Sequence, residues 1–116
     1  MKKKFALFVF NGDPMCFIHV LLNALDMHAQ GHEAQIIMEG ASVKLIPEID
    51  QPGHRLLTLW KRALEAGLVA GVCKACAATL GTLAAAEERG MTLLADVSGH
   101  PGMLAYREQG YEIITF

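Results

Sequence analysis

The chain has 116 residues, a hydrophobic fraction of 53% and a formal net charge of −2. This length suits one domain with one core, and the hydrophobic content excludes a disordered chain. The chain lacks the excess of basic residues that is typical of proteins that bind nucleic acid or an anionic membrane surface. No stretch approaches the ~18 apolar residues of a membrane-spanning helix. We expect residues 1–116 to form a single domain that binds neither nucleic acid nor membrane.

The first segment, residues 2–10, joins three lysines to an apolar run and superficially resembles a signal peptide. The run is short, and Asn11-Gly12-Asp13-Pro14 ends it without a small-residue cleavage site. We interpret it as a first strand with a solvated basic start. The three cysteines are an odd number. In a chain with no signal peptide, that favours a reducing cytoplasm and cysteine used for chemistry.

Glycines mark the ends of the predicted helices in the rest of the chain. Gly31, Gly67, Gly90 and Gly110 each follow a helical pattern and precede a strand pattern, as glycines that close helices do. The predicted strands are 4–10, 33–38, 68–72, 91–95 and 111–115. The predicted helices are 15–30, 53–66, 74–89 and 100–109. Repeated β-α units imply a parallel sheet. We predict a three-layer α/β/α fold with a five-stranded parallel sheet, in the flavodoxin-like order 2-1-3-4-5 or the order 4-3-2-1-5.

Residues 39–52 form a long irregular connection, because Pro47 and Pro52 exclude one continuous helix. The connection is rich in apolar residues, namely Val43, Leu45, Ile46 and Ile49. Such residues predict either a cover folded back onto the core or a subunit contact. Trp60, on a leucine-rich helix, adds to the apolar surface, so we expect a homo-oligomer.

Cys73 and Cys76 are the strongest functional candidates. They lie where the strand 68–72 gives way to an Ala-rich helix, at the carboxyl edge of the predicted sheet. Free N–H groups and the helix dipole favour an anion there, so the pKa of Cys73 is predicted to lie below the ~8.5 of a free thiol. His100 follows the fourth strand. Because strands three and four are expected neighbours, His100 is predicted to approach Cys73 and stabilise its thiolate.

Each candidate also has an ordinary structural explanation. Cys73 and Cys76 are small enough to be core residues, and His100 can be a plain loop histidine. A CxxC pair also occurs in zinc sites, where His54, His100 or Cys16 could add ligands, but none has paired ligand spacing. We therefore predict no metal and assign Cys16 to core packing. No G-x-G-x-x-G or Walker sequence follows the first strand, so no nucleotide cofactor is predicted.

The chain resembles the DsrE/DsrF-like family of small sulfur-relay proteins, which includes TusD-like carriers and YchN-like proteins. The resemblance covers nearly the whole length and rests on residues 5–10, 29–33, 71–78 and 110–116. In sulfur-carrying members the active cysteine follows the third strand, and a glycine lies eight residues later. Cys73 and Gly81 match that spacing. The chain departs from the carriers at Thr79-Leu80, where basic residues are common, and in having a second cysteine, Cys76.

The resemblance implies a cytoplasmic sulfur-transfer protein that carries a persulfide on Cys73. Its partners would be sulfur donor and acceptor proteins, and its assembly a trimer or hexamer. Two alternatives stay open. One is a non-catalytic oligomeric binding module in which the cysteines only pack. The other is a dithiol redox protein, in which the Cys76 thiolate attacks the inner sulfur of a Cys73 persulfide, sulfide leaves and a Cys73–Cys76 disulfide forms.

Overall fold

The computed structural model describes residues 1–116 and has one five-stranded sheet with six α-helices. The strands are β1 (Lys4–Val9), β2 (Glu33–Met38), β3 (Val69–Cys73), β4 (Leu93–Leu94) and β5 (Glu112–Thr115). The helices are α1 (Pro14–Ala29), α2 (Ile46–Ile49), α3 (Leu57–Glu65), α4 (Lys74–Thr79), α5 (Leu83–Glu88) and α6 (Met103–Glu108). A 3₁₀ helix, Gly40–Leu45, precedes α2. None of the helices is long and apolar enough to cross a membrane.

All strand pairs are parallel, in the order β4-β3-β2-β1-β5. The predicted fold class is confirmed, and the second of the two predicted orders is the observed one. Strands β3 and β4 are neighbours, with Cys73 opposite Leu94. The carboxyl ends of both strands therefore meet at the same edge of the sheet.

Alternate residues of the strands pack into two separate cores. Leu7 and Ile36 belong to the larger core, together with α1 and α3. Phe8 and Ile37 belong to the smaller core, against which Tyr106 of α6 packs. Right-handed crossovers explain this division. The chain advances from β1 to β4 in one direction and then returns to β5, so α6 lies on the opposite face from the earlier helices.

The predicted element boundaries needed several corrections. The Ala-rich helix 74–89 is broken into α4 and α5, because Gly81 between them has a φ of +78°. Strand β4 has two residues instead of the predicted five, and the predicted helices 53–66 and 100–109 begin only at Leu57 and Met103. The four glycines predicted to close helices all have positive φ, between 66° and 89°.

The connection 39–52 folds back as a cover. Val43, Leu45, Ile46 and Ile49 are at most 1% exposed and join the larger core. Trp60 is 2% exposed and packs near Phe17. The apolar residues that suggested a subunit contact are thus used inside the domain, and they no longer support an oligomer.

Candidate thiol site at the carboxyl edge of the sheet

The position of Cys73 follows from the join between β3 and α4. Cys73 is the last residue of β3 and the N-cap of α4, where its Sγ accepts a hydrogen bond from the Cys76 N–H at 3.3 Å. Its side chain is completely buried. Cys76, one turn later, is half-buried. Residues three apart on a helix share a face, so both thiols lie on one side of this turn.

A tight hairpin holds His100 beside the two thiols. Val97 and His100 exchange two backbone hydrogen bonds of 2.7 and 2.8 Å across Ser98 and Gly99. These two residues have φ values of 50° and 87°, as a type I′ turn requires. The Gly99 carbonyl accepts a hydrogen bond of 2.9 Å from the Ala75 N–H, which ties the hairpin to the first turn of α4.

His100 contacts both cysteines through one ring nitrogen. Its Nδ1 lies 3.1 Å from Cys73 Sγ and 3.7 Å from Cys76 Sγ. The side chain is otherwise exposed to solvent. The structure therefore brings together all three residues selected from the sequence. The connections after β3 and β4 leave toward opposite faces of the sheet, and such divergence opens a crevice where ligands bind in α/β proteins.

Glu39 is a fourth member of this cluster, and the sequence analysis missed it. It directly follows β2, and the residue is 7% exposed. Its backbone N–H donates to the Val9 carbonyl at 2.8 Å, and its own carbonyl accepts from Ser42. A carboxylate oxygen of Glu39 lies within 4.8 Å of the two sulfurs and the His100 ring nitrogen. An acidic residue directly after a buried strand at the ligand-binding edge was the available signal.

The predicted low pKa of Cys73 is not what the structure supports. Burial raises the pKa of the Cys73 thiol to about 11, and the neighbouring Cys76 thiol and Glu39 carboxylate add to the effect. The hydrogen bond from the Cys76 N–H acts in the opposite direction but is the smaller influence. Helix α4 has only six residues, so its dipole is too weak to offset full burial.

Burial also raises the pKa of the Glu39 carboxyl, and Asp96 adds to this, whereas a charged His100 lowers it. Raised carboxyl and thiol pKa values in one crevice are typical of functional sites. The Asp96 carboxylate accepts the Gly102 N–H at 3.1 and 3.2 Å, which fixes the loop that carries His100.

The other candidate residues lie outside the cluster. Cys16 is half-buried in α1 and belongs to neither of the two cores, so its assignment to core packing stays a prediction. His54 Nδ1 accepts the Leu56 N–H at 3.1 Å. His32 Nδ1 accepts the Lys3 N–H at 2.9 Å, at the far edge of the sheet.

A cleft of about 540 Å³ opens beside the cluster, on the α6 side of the sheet. Glu39 and Asp96 line it together with apolar residues. Four of these apolar residues are exposed, namely Phe10, Val97, Met103 and Leu104. Glu39 belongs to both the cleft and the cluster, whereas the two cysteines and His100 do not line the cleft.

Comparison with known proteins gives relatives without known function. No protein-family model matches the chain. An uncharacterised protein of Archaeoglobus fulgidus is 45% identical over 40 residues, which cover 34% of this chain and 66% of that relative. The uncharacterised protein MJ0733 of Methanocaldococcus jannaschii is 28% identical over 97 residues, or 84% of this chain and 77% of the relative.

A solved structure supports the fold. The conserved protein of unknown function BT1422 from Bacteroides thetaiotaomicron superposes with a TM-score of 0.67 over 97% of this chain and 95% of its own. Sequence identity is 20%, so the likeness concerns the fold alone. The resemblance to the DsrE/DsrF-like family stays a prediction.

Proposed function

We propose that this protein is a thiol-based sulfur carrier that holds sulfane sulfur as a persulfide on the Cys73–Cys76 pair. The observation that carries the proposal is the convergence of both thiols on one imidazole nitrogen, at 3.1 and 3.7 Å. A thiol needs a nearby base to become a nucleophile at neutral pH. One histidine can serve both sulfurs in turn.

Because the two cysteines differ in burial, they have different roles in the proposed transfer. Cys73 is fully buried, whereas Cys76 is half-buried, with part of its side chain packed against the larger core and part open to solvent. A donor persulfide therefore meets Cys76 first, which revises the sequence-based assignment of the carrier role to Cys73 alone. The Cys76 thiolate attacks the terminal sulfur of the donor R–S–SH, forms Cys76–S–SH and releases R–S⁻.

The sulfur can then move inward. The Cys73 thiolate attacks the terminal sulfur of the Cys76 persulfide, which gives Cys73–S–SH and regenerates the Cys76 thiolate. His100 takes the proton that each thiol loses, and its exposed ring returns that proton to water. An acceptor thiolate reverses the sequence and leaves with the sulfur. No oxidant or reductant is required, because sulfane sulfur is passed at constant oxidation level.

The cleft supports docking of the donor and acceptor proteins. Its exposed apolar residues, which include Val97 and Leu104, lie next to Glu39. Exposed apolar clusters beside a reactive group are typical of contact surfaces. The persulfide chemistry needs reduced thiols, so we propose that the protein works in the cytoplasm. We also retain the proposal of a homo-oligomer.

Intact-mass measurement after reaction with a low-molecular-weight persulfide tests this function. We expect wild type and Cys16→Ser to gain sulfur at equal rates, and Cys76→Ser to gain it far more slowly. A loss of two hydrogens without sulfur gain would instead identify a dithiol redox protein. No mass change in the folded protein would leave only the binding module.

A further inference from the structure

We infer that Glu39, Cys73, Cys76 and His100 form a binding site for one Zn²⁺ ion. This inference goes beyond sulfur transfer and does not depend on it. The four residues come from three separate segments, namely the end of β2, the β3–α4 join and the loop after β4. The sequence showed only one CxxC pair without a second paired set, which is why zinc was not predicted from it.

The distances between the donor atoms are close to those around a tetrahedral ion. Ligand atoms about 2.0–2.3 Å from Zn²⁺ lie roughly 3.3–3.8 Å from one another. The His100 nitrogen lies 3.1 Å from one sulfur and 3.7 Å from the other. All four donor atoms lie within 4.8 Å of one another. Small rotations of the half-buried Cys76 and the exposed His100 side chains would complete the geometry.

The Glu39 carboxylate adds an oxygen donor, without a protein partner of its own, to the two sulfurs and the ring nitrogen. Glu39 as a residue is only 7% exposed, and its carboxylate oxygens are reached by solvent from the cleft that the residue lines. No hydrogen bond or ion pair to this carboxylate occurs in the structure, although its backbone groups are paired. Partial burial raises the pKa of this carboxyl, and a cation beside it favours the charged form. A cation held jointly with two thiolates would supply the missing partner.

The donor set selects the metal. Two thiolates with one imidazole and one carboxylate suit Zn²⁺, whereas Mg²⁺ and Ca²⁺ require oxygen ligands. Binding releases the protons of both thiols to solvent, and no electron transfer accompanies it. A bound ion also occupies the lone pairs that would attack a persulfide, so Zn²⁺ and sulfane sulfur compete for Cys73 and Cys76.

Titration of the reduced, metal-free protein tests the site. Co²⁺ reports its ligands through thiolate charge-transfer absorption, and competition with a chromophoric chelator gives the Zn²⁺ affinity. We expect one equivalent of metal to bind. Cys76→Ser should weaken Zn²⁺ binding by about 100-fold or more, and Glu39→Gln, which keeps the side-chain shape, by about tenfold or more. Circular dichroism confirms that the variants are folded.

Cys16→Ser serves as the matched control, because it removes a half-buried thiol outside the cluster and should leave the affinity unchanged. The inference is overturned if wild type binds less than one equivalent, or if both Glu39→Gln and Cys76→Ser bind Zn²⁺ as tightly as wild type does. Either result is separate from the sulfur-loading test. A protein that gains sulfur without binding zinc would refute only the metal site.

Discussion

The two thiols, Cys73 and Cys76, differ in how deeply they are buried, although they are only three residues apart. Cys73 contacts His100 and the Cys76 N–H and is closed to solvent, whereas Cys76 is partly open. A raised thiol pKa means that a proton must be removed before Cys73 reacts. The buried residue is therefore suited to storing a sulfur atom, and the half-buried residue to exchanging it with a partner.

Alkylation against pH should separate the two cysteines. Because burial raises the pKa of Cys73 to about 11, its thiolate fraction should be very small at neutral pH and rise steadily as the pH approaches that value. We expect iodoacetamide to modify Cys76 first at neutral pH. Peptide-resolved mass spectrometry gives both rates in the same protein. A midpoint for Cys73 at or below ~8.5, the value of a free thiol, would contradict the assignment.

The sequence predicted correctly those contacts that depend only on where residues lie relative to the strands. Cys73 and His100 follow consecutive strands, so their approach could be anticipated without knowing side-chain packing. Glu39 could not be selected in the same way. Its importance comes from lying beside two sulfurs in a largely buried position, which depends on strand order and on the cover formed by the connection 39–52. The direction in which the Cys73 pKa shifts also depends on burial, which could not be predicted from the sequence.

At the scale of elements, the hairpin Val97–His100 positions the His100 imidazole beside the thiols. Its Gly99 has positive φ, and a Cβ there would lie 3.2 Å from Ala75 Cβ. The hairpin and α4 are therefore in tight contact. A change at this contact should move His100 relative to the thiols.

Gly99→Ala should lower the reactivity of the Cys76 thiol, and Gly110→Ala is its matched control. The two glycines have φ values of 87° and 89°, but a Cβ at Gly110 would meet nothing within 4 Å. Both variants should lose about 1–2 kcal/mol of unfolding free energy from backbone strain. Only Gly99→Ala should slow Cys76 alkylation at neutral pH, because only it displaces His100. Urea unfolding and alkylation rates test this; unchanged alkylation in Gly99→Ala would contradict it.

An ion pair connects the helical cover to α5. Arg89, at the end of α5, reaches the Asp50 carboxylate through Nε at 2.7 Å and Nη2 at 3.2 Å. Asp50 ends α2, so the pair fastens the folded-back segment. The Arg89 hydrogen bonds lower the pKa of Asp50. The Asp50 and Arg89 side chains are 31% and 24% exposed, so solvent reduces the gain to about 1 kcal/mol.

Asp50→Asn should lower the unfolding free energy by about 1 kcal/mol at neutral pH. A carboxyl with a lowered folded pKa stabilises the protein above its unfolded pKa of ~3.9 and loses that effect as the pH falls through the folded value. The difference between wild type and variant should therefore shrink below about pH 4. Glu88→Gln is the control, since Glu88 is 76% exposed and 4.0 Å from Arg89. A difference that persists in acid would refute the ion pair as its cause.

Element boundaries show what local sequence can predict. The four helix-closing glycines gave the number and order of the β-α units. The Ala-rich pattern over 74–89 concealed the break at Gly81, because alanine favours helix on both sides of it. Strand β4 keeps only two residues, Leu93 and Leu94, of the five predicted, and the local sequence does not show how much of an apolar segment will pair.

At the scale of the whole molecule, the topology places the site. The reversal of direction after β4 sends α6 to the opposite face and opens the crevice beside Cys73 and His100, whose side chains are in contact. The same reversal leaves that face covered by α6 alone among the helices. Ala70 and Leu94 are only half-buried there, so apolar sheet surface remains for another subunit.

We therefore expect a homo-oligomer in solution, although the reason differs from the one given by the sequence. The connection 39–52 is buried within the domain, whereas the thinly covered sheet face is available for contact. Light scattering coupled to size exclusion at micromolar concentration measures the assembly. A trimer or hexamer is the expected result, and a monomer would contradict the prediction.

The central claim is that Cys73 and Cys76 act together as one sulfur-carrying centre. The most direct measurement is a pulse of limiting low-molecular-weight persulfide, followed by alkylation at successive times and mass spectrometry of the peptides. The predicted result is an extra sulfur atom on Cys76 at the earliest times, then on Cys73, with none on Cys16. Sulfur that appears on Cys16 as readily as on the pair, or on none of the three, would contradict the claim.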